Sequence, residues 1–95
     1  MTRTEPKQAP LSYNERTDQI MGRFVERLKY CMDRYAYGEM QKMCERAGVH
    51  YTTLMNYRKG RSQPSLGNLV RMADEFGVSL DWLCGLSEMM RPNGK

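Results

Sequence analysis

Between two helical segments the chain has room for only Gly48 and Val49. Ahead of them, residues 39–47 place Met40, Met43, Cys44 and Ala47 on one side of a helix. Behind them, residues 50–59 form another, stopped by Gly60. A two-residue connection is too short for the helices to lie antiparallel, so they must cross steeply. Such a crossing needs a small residue where the helices touch, a residue that accepts positive φ at the turn, and apolar side chains at fixed offsets. Cys44 meets the first need, and Gly48 meets the second as a left-handed C-cap. Met43, Ala47, Val49, Leu54 and Tyr57 meet the third. This junction has the form of a helix-turn-helix.

The remaining pattern is helical as well. Ile20, Phe24, Leu28, Cys31 and Tyr35 recur every three to four residues and predict a long first helix from Thr17, broken at Tyr37 and Gly38. After the turn "RSQPS", Ser65 is an N-cap for a fourth helix with Leu66, Leu69, Val70 and Ala73 inward, closed by Gly77. Ser79 caps a short fifth helix, "SLDWLCG", with Asp81 favourably placed at its positive end. Residues 1–16 carry two prolines and no periodicity and read as a flexible arm; residues 87–95 read as a tail. The expectation is an all-α, five-helix domain over residues 17–86.

Several functions are disfavoured at this level. Ninety-five residues, 40% apolar and 27% charged, describe one ordinary globular domain. No apolar run approaches the length that spans a bilayer and no leader opens the chain, which predicts a cytoplasmic protein with no membrane partner. Cys31, Cys44 and Cys84 are far apart, form no C-x-x-C pair, and have a single histidine, His50, for company. They read as reduced core residues, with no metal and no cofactor expected. No nucleophile–base pair points to an enzyme.

Charge narrows the choice. From Arg46 to Arg71 there are five cations (Arg46, Arg58, Lys59, Arg61, Arg71) and no acid; Glu39, Glu45, Asp74, Glu75 and Asp81 lie in the flanks. One-signed charge within a chain of net +4 suggests an anionic partner.

Residues 44–85, "CERAGVHYTTLMNYRKGRSQPSLGNLVRMADEFGVSLDWLCG", resemble the lambda-repressor-like, Cro-type (Xre) helix-turn-helix regulators of phages and bacteria. The resemblance implies a five-helix domain whose third helix enters the major groove, and a sequence-specific regulator of the repressor type. On that helix Tyr51, Thr52, Met55 and Asn56 lie away from Leu54 and Tyr57. The Asn56 amide matches the N6 and N7 edge of adenine, and a threonine offers a hydroxyl and a methyl that can meet thymine. Arg58, Lys59, Arg61 and Ser62 follow where a groove-bound helix emerges beside the backbone, and so would bind phosphate and position the domain. The family often begins its second helix with a hydroxyl cap and a DNA-contacting glutamine. This chain has Glu39 and Met40 there, leaving Gln41 or Lys42 to take that role.

One recognition helix reaches only about four to six base pairs, so a homodimer on a pseudo-palindromic duplex is expected. Trp82, Leu86, Met89 and Met90 are the candidate dimer contacts. A protein-interaction module, such as an antitoxin or adaptor, is the competing function. Arg3 and Lys7 would extend the DNA contact if the arm wraps the duplex.

Overall fold

The computed structural model describes residues 12–36 and 38–91. They form five helices: α1 (Tyr13–Met32), α2 (Glu39–Ala47), α3 (Tyr51–Arg58), α4 (Leu66–Phe76) and α5 (Leu80–Leu83), with no strand among the described residues. The all-α expectation holds, with one correction at the start. Helix α1 begins at Tyr13, four residues ahead of Thr17, so residues 13–16 are helix. The cause is a capping box. The Ser12 hydroxyl accepts from the Glu15 amide at 3.1 Å, and the Glu15 carboxylate accepts from the Ser12 amide at 2.9 Å. Arg3 and Lys7 lie outside the described residues.

Each helix sends one large side chain to complete burial: Leu28, Met43, Leu54, Met72 and Leu83, in chain order. Burying a side chain of this size contributes about 1.5–3 kcal/mol, so no single helix dominates the core. Helix α2 packs on α3 and α4, α1 on α3 and α5, and α4 on α5. The inward face of α4 differs from expectation. Met72 and Ala73 are buried and Leu69 and Phe76 pack against the core, whereas Leu66 is 71% and Val70 38% exposed. Two stripes, 66–69–70–73 and 69–72–73–76, share Leu69 and Ala73 and satisfy helical spacing equally. The flexible, wholly buried Met72 decides between them.

The segment after α5 is docked, which corrects the tail assignment for residues 87–91. Arg27 on α1 donates to the carbonyls of Trp82 (2.7 Å) and Ser87 (2.8 Å), pairs with Glu88 (3.2 Å), and lies 4.8 Å from the Trp82 ring centre. Arg23 donates to the Gly85 carbonyl at 2.9 Å, and the Met90 carbonyl accepts from the Ser79 amide at 2.7 Å. Trp82 is only 7% exposed, and Met90 packs on the core. Trp82 therefore leaves the set of candidate dimer contacts; Met90 is half-buried, and Leu86 and Met89 remain exposed.

The thiols of Cys31, Cys44 and Cys84 are free, the first two buried and the third half-buried. Burial pushes all three upward, Cys31 to about 11 despite the opposing pull of Arg34. A thiol whose pKa is raised by folding stabilises the fold fully below its ordinary value of 9.0, and that contribution is lost as pH climbs through 9 towards 11. Unfolding free energy is therefore expected to fall across this range, by about 2–3 kcal/mol from Cys31 alone. Urea titrations at about pH 8 and about pH 11 check the sign; equal midpoints would contradict it.

Candidate nucleic-acid interface

Gly48 makes the turn. Its φ of 71° lies in the left-handed region, and the following Val49 amide donates to the Cys44 carbonyl at 3.0 Å. This closes α2 with a glycine at C′ and directs the chain immediately into α3. The recognition-type helix α3 is only eight residues long and is anchored by two of them, Leu54 at 0% and Tyr57 at 4% exposure. Tyr57 meets Phe24 of α1 edge-on, with ring centres 6.4 Å apart. At about 100° per residue, the direction opposite these anchors carries Thr52 and Lys59, with Asn56 to one side and Met55 to the other. Thr52 and Lys59 are exposed and Asn56 is half-buried. The Asn56 side-chain amide has no hydrogen-bond partner among the described residues.

Tyr51 is exposed and Met55 half-buried. Met55 packs against the core. Together with Met32, Met40, Gln41, Tyr51 and Arg58 it lines an open cleft of about 630 Å³ between α3, the start of α2 and the end of α1. Met55 is thus shared between the core and this cleft. Tyr51, 43% exposed, sits at the rim of this cleft beside Gln41.

The cations divide into two groups. Arg58 pairs with Asp33 at the end of α1 (3.2 Å), and Arg46 donates to Glu75 of α4 at 2.7 Å. Arg71 donates to the Ala47 carbonyl at 2.9 Å and to the Asn68 side chain. The acid-free stretch is therefore balanced from outside itself. Lys59 and Arg61 are exposed without an ion-pair partner among the described residues, and Ser62 is exposed beside them. Exposed pairs such as Arg58–Asp33 contribute about 0–1 kcal/mol to stability, so they hold a guanidinium without locking it.

The helix starts are unequal. Ser12, Ser65 and Ser79 cap α1, α4 and α5, but no side chain caps α2 or α3. His50 occupies the α3 N-cap position, is exposed, and leaves the first-turn amides to other partners. Among the described residues no group of three or more His, Cys, Asp or Glu side chains is arranged to hold a metal, and no helix is long and apolar enough to cross a membrane. Sequence reading missed Asn68, whose amide joins Tyr57 and Arg71. Its only local signal is a position three residues after the Ser65 cap.

Residues 40–83 match a family model described as Helix-turn-helix. The chain is 35% identical over 65 residues to an uncharacterized HTH-type transcriptional regulator of Haemophilus influenzae, a match covering 68% of this chain and 26% of that protein. It is 36% identical over 44 residues to the cryptic phage CTXphi transcriptional repressor RstR of Vibrio cholerae, covering 46% and 39% respectively. The chain thus spans well under half the length of these relatives. No solved structure matches it significantly.

Proposed function

Through residues 40–83 the chain belongs to the Cro/C1-type helix-turn-helix family, and on that premise we propose that it is a sequence-specific, double-stranded-DNA-binding transcriptional regulator of the repressor type. The observation that carries the proposal is the outward face of α3. Thr52, Asn56 and Lys59 project opposite the Leu54 and Tyr57 anchors, without a carboxylate on the helix. In this role Asn56 and Thr52 read base edges, with Tyr51 beside them at the groove wall. Lys59, Arg61 and Ser62 hold phosphates, and Arg58 joins them by exchanging Asp33 for a phosphate oxygen. The uncapped amides of α2 and α3 suit the same backbone. The protein acts by binding and not as an enzyme, in the cytoplasm where its DNA lies.

Selection of bound duplexes from a random pool tests the proposal. A defined site should emerge, and Asn56→Ala should then lose roughly 1–3 kcal/mol on that site, with relaxed preference at one base pair. Equal losses on selected and random duplexes would move Asn56 to a backbone or structural role.

We further propose that the protein binds as a homodimer on a pseudo-palindrome, since two α3 helices in successive major grooves, about 34 Å apart, double the sequence read. Leu86 and Met89 are the exposed apolar residues available for that contact near the chain's described end. Sedimentation should give two chains per selected duplex, and Leu86→Asp with Met89→Asp should weaken the pairing; one chain on a non-palindromic site would overturn it. The apolar cleft beside Tyr51 and Met55 favours one competing function, an antitoxin or adaptor that seats a partner chain there. Salt separates the two, because phosphate-dominated binding weakens steeply with ionic strength and apolar docking does not.

A further inference from the structure

We propose that Asn68 is a positioning residue that sets the roll of α3, and with it the aim of the base-reading side chains, through one polar relay joining α2, α4 and α3. This deepens, and rests on, the DNA-reading role of α3.

The relay begins at the turn. The Ala47 carbonyl, at the last residue of α2, accepts from Arg71 Nε at 2.9 Å. Arg71 Nη2 donates to Asn68 Oδ1, and Asn68 Nδ2 donates to the Tyr57 hydroxyl at 2.8 Å. Asn68 is itself held in the first turn of α4, where its amide donates to Ser65 Oγ at 3.1 Å. Arginine has donors only, so flipping the Asn68 side-chain amide would set its NH₂ against the guanidinium and lose the Arg71 bond, which fixes Oδ1 towards Arg71 and Nδ2 towards the Tyr57 hydroxyl.

The need for such a relay follows from the size of α3. Apolar contact through Leu54 and Tyr57 fixes how close the helix lies to the core but has little directional preference. A roll of about 20° moves a side-chain tip about 6 Å from the axis by about 2 Å. Protein hydrogen bonds span a distance range of only about 0.5 Å, so a roll of that size removes Asn56 or Thr52 from a base edge. The phenol–amide bond is directional, and Tyr57 lies one residue from Asn56. It is the described polar link from α4 to the buried face of α3.

The test uses the full chain with Tyr57→Phe, Asn68→Ala and Asn68→Asp. Tyr57→Phe keeps the ring and its contact with Phe24 and deletes only the hydroxyl, so it folds even if Asn68→Ala does not. Asn68→Asp restores the relay, since its carboxylate accepts from both Arg71 and the Tyr57 hydroxyl. Two readouts are taken: hydrogen exchange of α3 amides in the free protein, and the ratio of affinity for the selected duplex to that for a random duplex of equal length. Tyr57→Phe should speed α3 exchange about fivefold while α1 amides stay as in the wild type. It should also lower the affinity ratio roughly tenfold, the loss of about one aligned base contact, with an unchanged salt slope. Asn68→Asp should recover the ratio. Wild-type α3 exchange in Tyr57→Phe, or a wild-type affinity ratio in both Tyr57→Phe and Asn68→Ala, overturns the proposal. Faster α3 exchange in a protein whose wild type prefers no duplex would overturn the DNA-reading role itself, and with it the purpose assigned to Asn68.

Discussion

Gly85→Ala is expected to lower folding stability by about 3–5 kcal/mol, more than the same change at any other described glycine. Gly85 has φ +80°, a conformation that costs a residue with a Cβ roughly 1–2 kcal/mol. An added Cβ would also stand 2.5 Å from both Cβ and Cδ of Arg23. The Arg23 Cβ is fixed to the backbone of α1 and cannot swing aside, so the two segments must separate. Separation breaks the Arg23 bond to the Gly85 carbonyl and loosens the Arg27 bonds to residues 82 and 87. Gly22 is the control. It lies within α1 with nothing within 4 Å of an added Cβ, so Gly22→Ala should stabilise by about 0.5–1 kcal/mol. Urea midpoints of the two variants measure both effects, and a Gly85→Ala loss under about 1 kcal/mol would show that the terminal segment is not pressed against α1.

The largest functional effect is expected from Lys59→Ala combined with Arg61→Ala. Each lost phosphate contact should lower the slope of log affinity against log salt by about 0.9. The pair should therefore weaken binding to every duplex about a hundredfold near 0.1 M salt. Arg58→Ala should change the slope less, because Asp33 already neutralises part of that guanidinium. Asp33→Asn should then steepen the slope and tighten binding by releasing Arg58. Titrations over a range of salt concentrations with one selected and one random duplex give all four slopes. Identical slopes for wild type and the Lys59/Arg61 double variant would remove these residues from the DNA surface.

The helix-turn-helix was legible because its determinants are local. Gly48 at the turn, Leu54 and Tyr57 one helical turn apart and Ser65 ahead of α4 each act within a few residues. The Ser12 capping box is equally local, but the aperiodic stretch with Pro6 and Pro10 places the expected start of α1 later in the chain. Other features were not local. Nothing near Arg58 announces Asp33, 25 residues away, and nothing near Arg46 announces Glu75, 29 residues away. A count of charge along the chain therefore overstated the positive character of the surface. Leu66 and Val70 were misassigned because two helical stripes were equally periodic and only packing chose. Trp82 fits a dimer contact by sequence alone, but Arg27, 55 residues away, lies across its face.

The two-point attachment of α3 bears on how such a protein changes its target. Leu54 and Tyr57 hold the helix from beneath, so exchanging Thr52, Asn56 or Lys59 leaves the core as it was, at a stability cost within about ±0.5 kcal/mol. The scaffold and the address it carries are thus separable. On the proposed DNA-reading role, a new duplex preference could be written on three outward positions while the rest of the domain folds as before, so the target would change by a few substitutions at a time.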